Sequence, residues 1–252
     1  MKLLFGSTGL IGKTLLESEM FCGFNTKNSN DFNSIAENGD ELYLCCLPAA
    51  KWQVNQALDR DIRNIEHITD IISKKRYSKV VLISTIDVYC ESPLKYNEDY
   101  VPQIKSLNYG SNRYLFELFV RSFVKFDDLK IFRLPALYNK HIKKNILFDL
   151  LNNNNVDKIN INSSYQWYNL NNLWNDIKKY SAEYPKETIF NLFPEPIETK
   201  DIVAMFPEYN LTLFGNRVQY DYTTKLTDSG YIQTKGESLR EIQEFINGSR
   251  AK

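Results

Sequence analysis

Short, wholly apolar blocks alternate along the first half of the chain with longer blocks in which apolar residues recur every three or four positions. Lys2 to Phe5, Phe21 to Asn25, Leu42 to Leu47, Lys79 to Ser84 and Leu129 to Leu134 read as strands. Uninterrupted runs such as Leu42-Tyr43-Leu44-Cys45-Cys46-Leu47 suit strands buried on both faces. Ile62, Ile65, Ile68, Ile71 and Ile72 give Asp59 to Lys75 an amphipathic helical stripe, and Asn108 to Lys125 reads as a second long helix. Alternation of this kind through about residue 137 implies a parallel sheet with helices on both faces. Asp31 to Asp40 reads as a connector. Asn139 to Asn155, ending in four consecutive asparagines, reads as a loop. Later segments are a helix from Leu170 to Tyr180, a short strand from Thr188 to Leu192, an irregular stretch from Phe193 to Gln233, and a closing helix from Ser238 to Ile246.

Gly6-Ser7-Thr8-Gly9-Leu10-Ile11-Gly12 joins the first strand to a helix that starts over Lys13 to Glu17. Such a turn aims unpaired helix N–H groups and the positive end of the helix dipole at one point, which suits a pyrophosphate. Gly6 allows the tight turn, Gly9 a close backbone approach, and Gly12 close helix packing. The spacing departs from G-x-G-x-x-G, and a glycine turn without a ligand is the alternative. After the second strand no acid appears before Asp31. Asn25, Thr26, Lys27 and Ser29 there lean towards NADP over NAD, with Lys27 as a solvated loop lysine the equal alternative. Pro48, Ala49 and Ala50 follow Leu47 at the end of the third strand, an edge where open α/β sheets bind ligands.

The 252 residues suffice for one large domain or a domain with a small lobe. A formal net charge of zero gives no electrostatic case for nucleic acid or an anionic membrane. No apolar run is long enough to span a bilayer, and the first residues lack a signal-peptide pattern. Cys22, Cys45, Cys46 and Cys90 show no metal spacing and read as reduced thiols in a cytoplasmic setting. His67 and His141 are scattered, so no metal site is expected.

Ser84-Thr85-Ile86-Asp87-Val88-Tyr89 begins at a strand end, and Tyr109-Gly110-Ser111-Asn112-Arg113 lies on the next helix with Glu117 beyond it. Tyr109 and Arg113 share a helix face. A phenol is a poor base near neutrality unless a cation favours phenolate, and Arg113 is placed to act on Tyr109. With a hydroxyl from Thr85, the two form a proton-transfer pair for an oxygen whose carbon exchanges hydride with a nicotinamide.

On these motifs the chain resembles, nearly end to end, the extended short-chain dehydrogenases/reductases of the NAD-dependent epimerase/dehydratase branch. Gly6, Gly9 and Gly12 match the first family motif, Pro48-Ala49-Ala50 the small residues beside the cofactor, and Asn64 an asparagine of the following helix. Ser84 to Tyr89 matches Ser-Ser/Thr-x-x-Val-Tyr. Tyr109 to Glu117 matches Tyr-Gly-x-x-Lys-x-x-x-Glu save for Arg113. Tyr165 to Leu173 and Asn191 resemble late family signatures. The resemblance implies a Rossmann-type doubly wound parallel sheet over residues 1–137, with 170–192 returning to it. A small carboxyl-terminal substrate lobe is formed from 138–169 and 193–252. It also implies Thr85, Tyr109 and Arg113 as catalytic, Leu134 and Pro135 beside the cofactor, a nucleotide-linked sugar as substrate, and a homodimer. Asp87, Lys144 (with Lys140 and Lys143) and Trp167 (with Tyr168) are candidate substrate contacts. The alternatives are a capping carboxylate, a solvated loop and lobe core.

The departures matter. Arginine is not a geometric substitute for lysine at position 113. Cys90 replaces a glycine, Ala136 an asparagine and Asn172 an aspartate. Asp87 supplies half of an acidic pair used in dehydration, so elimination stands beside epimerisation and keto reduction. A non-catalytic dinucleotide-binding module is the competing class.

Overall fold

A computed structural model describes residues 1–25, 29–89, 95–209, 211 and 217–250. Its elements in chain order are β1 (Lys2–Phe5), α1 (Leu10–Ser18), β2 (Cys22–Phe24), α2 (Ser29–Ile35), β3 (Glu41–Leu44), α3 (Lys51–Gln56), α4 (Leu58–Ile72), β4 (Arg76–Thr85) and α5 (Tyr109–Phe123). There follow β5 (Lys125–Leu134), β6 (Ala136–Tyr138), α6 (Ile146–Leu151), β7 (Ser164–Tyr165), β8 (Trp167–Asn169) and α7 (Leu173–Glu183). The last are β9 (Ile189–Asn191), β10 (Ile197–Glu198), α8 (Thr199–Val203) and α9 (Lys235–Arg250). The chain divides into two compact units, one of residues 1–90, 101–133 and 172–190, the other of 91–100, 134–171 and 191–252.

The first unit is built on a six-stranded parallel sheet ordered β2-β1-β3-β4-β5-β9. Leu3, Phe5, Leu42, Leu44, Val80 and Leu82 from its strands meet Ile65, Ile68, Ile71 and Ile72 of α4 in one core. The isoleucine stripe is thus the buried face of α4, which removes that apolar area from water. Asn108 and Ser111 form a reciprocal capping box that fixes where α5 begins and leaves Tyr109 in its first turn. Three elements differ from expectation. The connector after Asp31 contains α2, which buries Phe32 against Phe5 and Phe24. The asparagine-rich loop contains α6, capped by the Asn145 side chain on Phe148 N–H, with Leu147 and Leu150 buried. The short helix α3, with Val54 its buried residue, stands directly after Ala50.

In the second unit, β6 pairs with β8 in parallel and β7 with β10 antiparallel. Its core gathers Tyr138, Leu147, Leu150, Trp167, Ile202, Phe206, Ile242 and Ile246. Residues 95–100 belong to it. Glu98 accepts from Asn191 N–H, the Thr224 hydroxyl and Lys225 N–H.

Burial holds the phenols of Tyr43, Tyr77 and Tyr138 above their ordinary range, and that of Tyr180 is pushed up to about 12. Their protons are held more tightly folded than unfolded. The associated stability is therefore complete below the unfolded phenol value of about 10 and declines as pH rises beyond it. The urea midpoint is expected to fall between about pH 9 and about pH 11. A flat profile would refute this.

Candidate active site

The turn from β1 into α1 is held from outside by one acceptor. The Phe24 carbonyl takes Gly6 N–H at 2.8 Å, Ser7 N–H at 3.0 Å and the Ser7 hydroxyl at 3.0 Å. Gly6 sits at φ +112°, and a Cβ there would meet the Cys45 carbonyl oxygen at 2.4 Å. A Cβ on Gly12 would meet the Gly6 carbonyl oxygen at 2.2 Å. Packing within the protein alone thus demands both glycines. Gly9 differs: a Cβ there would lie 3.5 Å from its nearest neighbour, an ordinary contact. It is exposed, has an extended φ of −76°, and supplies no side chain to the first-turn N–H groups of α1. Thr8 is exposed beside it, and Leu10 and Ile11 are half-buried. Open space over Gly9 and a helix start without a side-chain cap fit the diphosphate of a dinucleotide. Thr26, Lys27 and the side chain of Ser29, which carried the NADP lean, lie outside the described residues, as does Cys90. Asn25 is half-buried at the end of β2.

The end of β3, where Cys45 lies against Gly6, leads to a second cluster. Beyond its end come half-buried Leu47, exposed Pro48 and Ala49, and then α3. The Pro48 carbonyl accepts from Arg113 Nη2 at 2.7 Å. Arg113 also grips Asp61 of α4 in a two-pronged pair, Nη1 to Oδ2 at 2.7 Å and Nη2 to Oδ1 at 3.2 Å. Both side chains are buried. Asn112 Nδ2 donates to the same carboxylate at 3.0 Å. Arg113 is therefore a fixed member of a buried ion pair as well as the cation one turn beyond Tyr109. Asn64, one turn after Asp61, is half-buried on α4.

Tyr109 is half-buried. Its N–H donates to Asn55 Oδ1 of α3 at 2.8 Å, and the Arg113 guanidinium lies 4.5 Å from its ring centroid. Across the cluster the Thr85 hydroxyl donates to Asp87 Oδ2 at 3.1 Å and receives Asp87 N–H at 3.2 Å. Lys51 of α3 reaches Asp87 Oδ1 at 2.5 Å, with its ammonium 5.8 Å from the Tyr109 ring centroid. Burial pushes the phenol above its ordinary value; Arg113 pulls it down, Asp87 pushes it up and Lys51 pulls it down. Behind the cluster, Glu117 takes the Ser84 hydroxyl at 2.5 Å and Arg133 Nε and Nη2 at 3.0 and 2.7 Å. Arg133 Nη1 donates to the Tyr89 hydroxyl at 3.1 Å. Burial works against the Arg133 charge, and Glu117 outweighs it.

The first unit thus brings Thr85, Asp87, Tyr109 and Arg113 together and adds Lys51, Asn55 and Asp61, which the sequence reading did not single out. The signal for Asp61 was arginine itself, because a buried guanidinium needs a carboxylate. Leu134 and Pro135 are buried. Lys144 is exposed ahead of α6 in the second unit. Trp167 is 1% exposed in that unit's core, paired into β8, so no face remains for a ligand and the expected stacking role is withdrawn.

No family model and no curated protein matches the sequence. Solved structures match over almost the whole chain. One is MoeE5 in complex with UDP-glucose and NAD, at TM-score 0.77 and 13% identity over 99% of this chain and 98% of that one. Another is a UDP-galactose 4-epimerase, at TM-score 0.73 and 13% identity over 98% and 99%. A third is the dTDP-4-dehydrorhamnose reductase of Bacillus anthracis in complex with NADP, at TM-score 0.70 and 15% identity over 98% of each chain. Among the described residues no helix is long and apolar enough to cross a membrane. The six-stranded parallel sheet, its strand order and these likenesses show a Rossmann-like α/β fold shared with those solved structures.

Proposed function

We propose that the chain is an NAD(P)-dependent oxidoreductase or epimerase of the epimerase/dehydratase branch, acting on a nucleotide-linked sugar. The observation that carries this reading is the Thr85–Asp87–Lys51–Tyr109 cluster, whose Lys51 follows β3 and whose Thr85 ends β4, at the same edge of the parallel sheet at which β1 runs into the glycine turn. The backbone from Gly6 to Gly12 would hold the diphosphate, with Leu47, Pro48 and Ala49 beside the rest of the cofactor. A bound nicotinamide supplies or accepts hydride. Tyr109 takes the proton of a sugar hydroxyl as that carbon loses hydride, and returns it when a carbonyl is reduced. The Thr85 hydroxyl, oriented by Asp87, hydrogen-bonds the reacting oxygen. Free thiols at Cys22, Cys45 and Cys46 agree with a cytoplasmic enzyme, and we carry a homodimer as part of the same reading.

The test is a paired fluorescence titration with NADH and NADPH, followed by a panel of nucleotide-sugars that includes 4-keto forms. Binding with substrate-dependent oxidation of the reduced cofactor is expected. Tyr109→Phe should abolish turnover, at least about a thousandfold, while cofactor binding persists. Full activity in that variant would remove Tyr109 from the mechanism. Binding of neither dinucleotide would overturn the functional reading as a whole.

A further inference from the structure

Of the three tryptophans, Trp167 and Trp174 are 1% and 7% exposed, whereas Trp52 of α3 is 63% exposed. Leaving so much apolar area in water is unfavourable in the free protein, and a ligand laid on the ring recovers it. The other residues of α3 fix where this indole stands. At about 100° per residue, Trp52 falls between Asn55 and Gln56 around the helix, with Lys51 beyond Asn55 and buried Val54 on the opposite side. Asn55 accepts Tyr109 N–H at 2.8 Å, and the Lys51 ammonium lies 5.8 Å from the Tyr109 ring centroid. Residues three apart on a helix are neighbours, about 5–6 Å between Cβ atoms. Trp52 therefore borders, on the solvent side, the residues that meet Tyr109. Exposed Gln53 and Gln56 add carboxamides on its other flank.

We propose that Trp52 is a specificity-determining contact for the sugar, its indole lying against the apolar C–H face of the hexose whose reacting oxygen meets Tyr109. The proposal rests on the reading of the chain as acting on a nucleotide-linked sugar, and it names the residue that holds the sugar itself. A pyranose carries its hydroxyls around the rim and C–H bonds on its faces. Those C–H bonds are weakly positive and match the negative face of an aromatic ring. Carboxamides offer both donor and acceptor to the rim hydroxyls. A diphosphate gains nothing from an indole face, because both are negative. α3 thus sets an aromatic platform among amide groups, directly after Pro48-Ala49-Ala50 and beside the residue to which proton transfer is assigned.

Burial of the other two tryptophans makes the experiment selective. Acrylamide quenches exposed indoles and hardly reaches buried ones, so quenching of the wild type reports Trp52, and Trp52→Phe should remove most of it. UDP-glucose and dTDP-glucose are added with NAD present, and equilibrium dialysis counts the sugar nucleotide bound. Bound sugar nucleotide is expected to shield Trp52 from acrylamide, while UDP, dTDP and NAD without the sugar leave it open. Trp52→Ala should bind the sugar nucleotide roughly 2- to 12-fold more weakly, the worth of one aromatic contact, and Trp52→Phe should recover most of the loss. Sugar nucleotide bound with Trp52 still fully quenched overturns the inference and leaves the proposed function standing. Shielding by a nucleotide lacking its sugar, by NAD, or by raised protein concentration alone puts a base, a nicotinamide or a second copy on the indole, and overturns it too. No bound sugar nucleotide refutes the proposed substrate class and the inference with it. The urea midpoint of Trp52→Ala should hold, because so exposed a ring adds little packing; a fall would make Trp52 a packing residue instead.

Discussion

Replacing Arg133 by methionine is expected to lower the unfolding free energy by about 3–5 kcal/mol, because it strands the Glu117 carboxylate, fully buried, without its cation. Both side chains are almost wholly buried, at 1% and 0% exposure. The pair joins β5 to α5, and through Ser84 and Tyr89 it reaches both flanks of Thr85. The loss should therefore appear in the site as well as in the melt. Once a substrate is known, turnover should fall more than dinucleotide affinity, since this network flanks Thr85 while the glycine turn is held by the Phe24 carbonyl. Urea denaturation of the single variant beside Arg133→Met/Glu117→Leu checks the cause. The double variant should regain much of the loss, because an apolar pair of similar volume no longer buries an unmatched charge. A single variant within about 1 kcal/mol of wild type would show that water or another partner reaches Glu117.

The second large effect separates glycines that look alike in sequence. Gly12→Ala should cost about 3 kcal/mol, because its methyl meets backbone of the preceding turn at 2.2 Å and that backbone is already fixed by Phe24. Gly6→Ala adds backbone strain at φ +112° to a similar clash. Gly9→Ala should leave the urea midpoint nearly unchanged, since its methyl makes an ordinary 3.5 Å contact. Dinucleotide affinity should nonetheless fall by about 1–3 kcal/mol, roughly 5- to 150-fold, because the methyl occupies the space a diphosphate needs. An affinity unchanged in Gly9→Ala would move the diphosphate away from this turn.

The sheet was legible because strands covered on both faces read as uninterrupted apolar runs, and α4 because its isoleucines keep helical spacing. α3 left no such trace: Lys-Trp-Gln-Val-Asn-Gln buries Val54 and is too short to display a stripe. α6 was hidden by the asparagines around it, although one of them, Asn145, is the cap that starts the helix. Thr85, Tyr109 and the glycine turn stand in local motifs, so spacing revealed them. Their electrostatic partners do not. Lys51 and Asp87 are 36 residues apart, and Asp61 and Arg113 are 52 apart. The packing of α3 beside the turn after β4, and of α4 against α5, brings such pairs together. Asp61 also looks, in sequence, like one more acid in the first turn of an exposed helix. Trp167 misled for the opposite reason, because an aromatic-rich stretch suits a ligand and a core equally well.

The two units share the chain in alternate stretches, three to each. This has a consequence for biosynthesis. A ribosome releasing the chain from its amino end completes β1 to β5 early, yet the strand that closes the far edge of the sheet, β9, emerges only after residues 134–171 of the other unit. That other unit in turn waits for Ile242 and Ile246 of α9 to fill its core. A nascent chain arrested between β9 and residue 235 therefore holds all six strands of the sheet beside a second core without its helix. Neither unit corresponds to a continuous fragment that a protease or a truncated gene could set free.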